Sequence, residues 1–362
     1  MSVTELFEHV SGTSRVERIT IRRPDDFHVH LRDGAMLEAV LPFTAAQFAR
    51  GVIMPNLMPP VTSVAMARGY RERILKARPD GSDFQPLMTC YLTDAADRDE
   101  IERGFRDGVW VAAKLYPAGA TTNAHFGVTD IPALAPVFER METIGMPVLI
   151  HGESTDPDVD IFDREAAFME QSLLPLLKRH PGLKIVIEHV TTAETADIVR
   201  AHVSRAAGTI TPHHLVINRS SIFQGGLRPH LYCLPVAKRE HHRLALRKAA
   251  TSGEPCFFIG TDTAPHRRTA KEAECCSAGI FGGATALQTY LQVFDEECAL
   301  DRFEAFASVN GARFYGLELN GGTITLERRE SPVLAAVAVE DTEVVVFQGG
   351  QTLPWSVGEV TR

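Results

Sequence analysis

The chain has 362 residues, 44% hydrophobic and 23% charged, with a formal net charge of −9. That composition suits a globular protein long enough to bury most of its apolar surface without staples. The acid excess argues against nucleic-acid binding, which relies on Lys and Arg neutralising phosphates. No apolar run approaches the ~18–20 residues that cross a bilayer, so no membrane association is expected.

The opening "MSVTELFEHV" carries acidic residues early and lacks an apolar stretch, so a secretory signal is not expected. Residues 1–20 read as a short N-terminal extension. Eight apolar runs follow as candidate strands: "DDFHVHL" (25–31), "GVIMPN" (51–56), "QPLMTCYLT" (85–93), "WVAAKLYP" (110–117), "MPVLIHGE" (146–153), "KIVIEHVT" (184–191), "GTITPHHL" (208–215) and "CFFIGTDTAPH" (256–266). Between them, residues 61–79 and 192–204 space their apolar residues three and four apart, as helices do. Residues 129–145 offer Thr129 or Asp130 as a cap, Pro132 in the first turn and Gly145 as a stop. The tail, 323–355, alternates Val and Thr and reads as a few added strands.

Near-continuous apolar strands alternating with helices indicate parallel strands covered on both faces, and eight of them indicate a closed barrel. The expected fold is α/β, a (β/α)8 TIM-type barrel with a short N-terminal extension and a small β-rich C-terminal tail. Residues 1–362 are read as one domain, with a barrel core over about 20–320 and an extension over about 321–362. An open doubly wound sheet fits less well, because no GxGxxG turn follows the first strand. The six cysteines form no CxxC pair and read as reduced thiols. Cys275 and Cys276 are adjacent in a loop and are given no role.

The candidate strands end in polar residues. His28 and His30 close the first, Asn56 the second, and Lys114 lies in the fourth. His151 and Glu153 close the fifth, Glu188 and His189 the sixth, His213 and His214 the seventh, and Asp262 and His266 the eighth. Successive members fall a whole number of βα units apart, so they keep phase with the strands and should converge at the C-terminal rim, where barrel active sites form. One buried His is more often a hydrogen-bonded core residue than a ligand. His28 and His30, two apart on a strand, share a face, and Arg32 continues that phase. Several imidazoles and a carboxylate at one rim would each cost roughly 1–3 kcal/mol if left unpartnered, which a metal avoids. Imidazole and carboxylate suit Zn²⁺ or another first-row ion. The set is too large for one ion and suits two with a bridge. Lys114 has no lone pair as an ammonium; desolvated and neutral, its amine could add CO₂ to give a bridging carbamate.

In order, "DDFHVHLRDG", "MPNLMPP", "AAKLYPAGATTN", "VLIHGE", "IEHVTT", "TPHHL", "GLRPHLYCLP" and "GTDTAPH" resemble the dihydroorotases of the amidohydrolase superfamily, in their shorter stand-alone bacterial form. The resemblance implies a cytoplasmic homodimer with two zinc ions per protomer. It implies reversible cyclisation of N-carbamoyl-L-aspartate to L-dihydroorotate with loss of water, the third step of de novo pyrimidine (UMP) biosynthesis. By matching motif, His28, His30, Lys114 and Asp262 would hold the more buried metal, and His151 and His189 the other. Lys114, as its CO₂-derived carbamate (N6-carboxylysine), would bridge them together with a hydroxide that serves as the nucleophile. Asp262 would be the general acid and base. Arg32, Asn56 and His266 would bind the substrate carboxylate, and Leu234 and Ala278 would contact the ring through the main chain. Thr121 and Thr122 lie in a loop that would close over the substrate. A hydantoinase or allantoinase would share the metal set, but the Arg32, Asn56 and His266 site argues against it. A non-catalytic scaffold would be expected to lack ligands, and none is missing.

Overall fold

The structure, a computed structural model, describes residues 16–362; the reading of the first ten residues lies outside these. Strand β1 (Arg18–Arg22) precedes eight strands that form one sheet in chain order: β2 (Asp25–Val29), β3 (Arg50–Ile53), β4 (Gln85–Tyr91), β5 (Trp110–Leu115), β6 (Val148–Ile150), β7 (Ile185–Ile187), β8 (Ala206–Ile210) and β9 (Phe257–Ile259). Every neighbouring pair is parallel. The last strand returns to the first. Val29 bridges Thr263 in parallel, His30 N–H donates to Thr263 O at 3.0 Å, and Asp262 N–H donates to His28 O at 2.9 Å. The expected α/β barrel is therefore present, and its seam lies at the residues of interest.

Helices cover the sheet: α1 (Gly34–Gln47), α2 (Val64–Ala77), α3 (Arg98–Arg106), α4 (Ala135–Ile144) and later segments. The expected helix over 61–79 is the shorter α2, because Ser63 accepts from Met66 N–H and caps it there. The 192–204 helix runs Ala193–Ala201 from a Thr192 cap. Asp130, not Thr129, caps the 129–145 segment, which begins as a 3₁₀ turn (Ile131–Leu134) and ends at Gly145 with φ 73°. Two expectations are corrected. His213 and His214 sit on a short helical turn, Pro212–Val216, because Pro212 after β8 starts a helix that Thr211 caps by accepting from His214 N–H. The N-terminal extension also contains a strand: β1 pairs antiparallel with β10 (Thr323–Glu327) of the tail.

The tail adds β11 (Ser331–Pro332), β12 (Ala336–Val339), β13 (Thr342–Val345), β14 (Thr352–Leu353) and β15 (Ser356–Val360). They form three small sheets, β1-β10-β15, β11-β14 and β12-β13. Inside the barrel, Phe27, Val52, Ala112, Leu149, Val186, Ala207 and Phe258 pack as one layer. Val29, Ile53, Ala113, Ile150, Ile187 and Ile259 pack outward against the helices. Two residues on from the inward layer, strand alternation aims Lys114, His151 and Glu188 into the same lumen.

Candidate metal centre and substrate pocket

One pocket at the C-terminal rim is lined by His28, His30, Arg32, Asn56, Tyr116, Thr121, Thr122, His151, His189, Leu234, Asp262, Ala264, Ala278 and Gly279, with a volume of about 320 Å³. All the expected site residues line it except Lys114 and His266. Lys114 lies fully buried, and its Nζ donates to Glu188 Oε2 at 3.1 Å. His266 lies beside Arg32, with its Nε2 3.1 Å from Arg32 Nη2.

The first strand does not deliver its histidines by simple alternation. Phe27 faces the lumen and Val29, two residues on, faces the helices. A register shift between Asp26 and Val29 separates them, so a bulge re-aims His28 and His30. The strand ends at Val29, and the expected phase of Arg32 is not kept: its φ is 61°. His189 (φ 43°) and Asp262 (φ 46°) share this left-handed backbone. Such conformations cost on the order of 1–3 kcal/mol each and gather at functional sites. Here the turned backbone brings residues beyond the ladder back over the lumen. Asp26 secures the seam. Its carboxylate accepts from His28 N–H (3.1 Å), Thr261 N–H (2.9 Å) and the Thr261 hydroxyl (2.6 Å), stitching the first strand to the segment that carries Asp262.

His28 Nε2 and His30 Nε2 lie 3.2 Å apart, and both lie within 3.3 Å of Asp262 Oδ1. All three residues are buried, and their ligand-type atoms are mutually within 4.8 Å. Imidazole nitrogens aimed at each other and at one carboxylate form a donor set that suits a cation. On the other side, His151 Nδ1 lies 3.1 Å from His189 Nε2. The outer nitrogens are held by neighbours. His30 Nδ1 lies 2.9 Å from Asn56 Oδ1, His151 Nε2 lies 2.8 Å from Glu153 Oε2, and His28 Nδ1 contacts Glu188. A ring fixed in this way presents its other nitrogen to a metal. Burial pushes the Lys114 ammonium below its ordinary range against the pull of Glu188, which favours a neutral amine. Burial likewise lowers His30 to about 4.

Glu188, Glu153 and Asp26 were given no role from sequence, although the first two stood in its strand-end set. Tyr116 was missed altogether: its hydroxyl is buried without a hydrogen-bond partner among the described residues, and its ring centre lies 4.8 Å from Lys114 Nζ. Only its position two residues after Lys114 could have flagged it. The loop bearing Thr121 and Thr122 lies over the pocket. Asn56 Nδ2 donates to Thr122 O (3.1 Å), and the Thr122 hydroxyl donates to Ala278 O (3.2 Å). A second buried group, His213, His214 and Cys233, also has ligand-type atoms within 4.8 Å of one another. There, His214 Nε2 (3.0 Å) and Cys233 Sγ (3.4 Å) both address Pro235 O, and His214 Nδ1 meets the Thr211 hydroxyl (2.8 Å), so His214 and Cys233 already have protein partners, while both ring nitrogens of His213 are buried without a hydrogen-bond partner among the described residues.

The amidohydrolase family pattern matches residues 25–329. A dihydroorotase of Erythrobacter litoralis is 58% identical over 339 residues, covering 94% of this chain and 98% of its own. Among solved structures, a Saccharomyces cerevisiae dihydroorotase in complex with 5-fluoroorotic acid superposes with a TM-score of 0.88 at 31% identity, covering 95% of this chain and 99% of its own. An Arthrobacter aurescens L-hydantoinase (dihydropyrimidinase) shares the fold at TM-score 0.74, with only 17% identity over 97% of this chain and 92% of its own. The chain belongs to the amidohydrolase family, and within it to the dihydroorotases.

Proposed function

We propose that this chain interconverts N-carbamoyl-L-aspartate and L-dihydroorotate in the cytoplasm, as a homodimer and with all of 1–362 working as one unit. The observation that carries this reading is a single pocket in which the His28, His30 and Asp262 donor set lies beside Arg32, His266 and Asn56. The metal donors alone would serve any cyclic-amide hydrolase. The guanidinium beside them adds a planar fork for a carboxylate, which a hydantoin ring lacks.

His28, His30, Asp262 and Lys114 would hold one zinc ion, and His151 and His189 a second, with Lys114 contributing as its carbamate. Ions held there would supply a water of lowered pKa and polarisation of the scissile carbonyl. Arg32 and His266 orient the substrate through its carboxylate. Asn56 acts twice, fixing the His30 ring through Oδ1 and tethering the Thr122 loop through Nδ2. Asp262 takes the proton of the attacking water and returns it to the departing amide nitrogen. In the biosynthetic direction the same groups act in reverse. Thr121 and Thr122 cover the ring and exclude water.

The deciding experiment purifies the chain, counts metals per protomer, and assays dihydroorotate, hydantoin and allantoin in parallel. The expected result is about two zinc ions and turnover of dihydroorotate, lost with a chelator and restored by Zn²⁺. Preferential turnover of hydantoin or allantoin would overturn the substrate assignment.

A further inference from the structure

Lys271 is a buried cation that the chemistry above does not use. It is 3% exposed, and among the described residues it makes no ion pair. Its Nζ donates instead to three carbonyl oxygens, Tyr232 O at 2.7 Å, Ser277 O at 2.8 Å and Gly279 O at 2.8 Å. An ammonium has three donors and no acceptor, so this arrangement satisfies it fully. A packing role would be met by an apolar side chain, without the cost of desolvating a charge.

The three carbonyls share a location. Tyr232 lies two residues before Leu234, while Ser277 and Gly279 flank Ala278. Leu234 and Ala278 both line the pocket. Ser277 N–H donates to Ala270 O and Gly279 N–H to Tyr232 O, each at 3.0 Å, so both neighbours of Ala278 turn their backbone groups towards Lys271. Ala278 O is left facing the other way, where it accepts from His266 Nε2 (2.9 Å) and the Thr122 hydroxyl (3.2 Å). Gly279 has φ 149°, and a Cβ there would lie 2.8 Å from both Ala264 O and His266 Cδ2, so only glycine fits this path.

We propose that Lys271 is a positioning residue for the substrate ring. By gripping Tyr232, Ser277 and Gly279 it locks the main chain of Leu234 and Ala278 in the register that meets the ring. This rests on the reading of those two residues as ring contacts.

The ammonium is also poised to titrate. Burial lowers it to about 8, against the pull of the Cys276 and Cys233 thiols. The other groups facing it stay fixed in that range. Burial holds His213 at about 4 and His266 at about 2, and pushes Cys233, Cys276 and Tyr232 upward. Below pH about 8 Lys271 has a donor for all three carbonyls; above it, the neutral amine has only two N–H groups, one of the three contacts is lost and the grip loosens.

The test uses the full, metal-loaded chain with Lys271→Met and Lys271→Arg, measuring kcat, KM for dihydroorotate and metal content from neutral to alkaline pH. In Lys271→Met, KM should rise about tenfold while kcat and metal content hold. Wild-type KM should climb as pH passes about 8. Lys271→Arg should restore most of the affinity and abolish that climb, because arginine does not titrate there. If Lys271→Met does not fold, the wild-type and Lys271→Arg profiles decide. An unchanged KM in Lys271→Met, or a climb that persists in Lys271→Arg, overturns the proposal. A wild-type protein without dihydroorotate turnover overturns the underlying reading as well, a different result from an active enzyme indifferent to Lys271.

Discussion

Single residues at this rim stand in pairs, one facing the lumen and one behind it. His28 is backed by Glu188, His30 by Asn56 and His151 by Glu153, so each imidazole has one nitrogen engaged and one free for the lumen. Asp262 differs. It is 5% exposed, its backbone is left-handed, and its Oδ1 faces two imidazoles. Burial raises its pKa, but the nearby His28 charge and the histidine hydrogen bonds overcome this and hold the carboxyl well below the ordinary range. Asp262 is therefore ionised at neutral pH, the state a proton acceptor must start from. Asp262→Asn keeps the shape and removes the base. Its kcat should fall by about 10²–10⁴ while metal content is largely retained, as read by steady-state kinetics beside metal analysis. Near-normal turnover would remove Asp262 from the proton-transfer role.

At the scale of elements, the strands supply the site by two routes. Alternation alone brings Lys114 and His151 into the lumen, each two residues beyond a packed inward residue, Ala112 and Leu149. The bulge in the first strand and the left-handed turns at Arg32, His189 and Asp262 bring in the rest. The opposite end of the barrel is closed by the helix Asn310–Tyr315. There Phe27 stacks on Tyr315 with ring centres 5.0 Å apart and meets Phe258 edge-on at 5.1 Å. A Cβ on Gly311 would lie 2.2 Å from Phe27 Cε2. Gly311→Ala should therefore destabilise the fold by about 1–3 kcal/mol through overpacking, measurable by denaturant titration. Because Phe27 immediately precedes His28, metal affinity should weaken too. An unchanged unfolding midpoint would show that this end of the barrel yields more easily than its packing implies.

At the scale of the whole molecule, the tail supports the barrel from outside. Trp355 is fully buried; its indole N–H donates to Asp295 Oδ2 at 3.3 Å, and Arg328 lies 4.4 Å over its ring while pairing with the same carboxylate. Asp295 belongs to the helix Ala286–Glu296, so this knot docks the tail sheets on the barrel wall. The Phe281–Val346 bridge carries the support towards the 277–281 segment beside the pocket. Trp355→Ala should cost about 3–5 kcal/mol of stability and lower the melting temperature, leaving kcat/KM of the folded protein nearly unchanged at 25 °C. Lost activity without lost stability would give the tail a more direct part in the site. The barrel class, the tail strands, and Lys114 and His151 were legible in the sequence, because apolar runs and two-residue alternation are local properties of a chain. The pairing of β1 with β10, the helical turn that carries His213, and the inward swing of Arg32, His189 and Asp262 were not. The swing of those three depends on backbone angles that are unfavourable locally and persist only because the closed barrel holds them, as Asp26 does across the seam, while the β1–β10 pairing joins segments from opposite ends of the chain. The sequence by itself thus determined which chemical groups the rim could contain. Only the tertiary structure decided which of them face one another, which stand behind, and that a buried lysine grips the backbone beside Leu234 and Ala278.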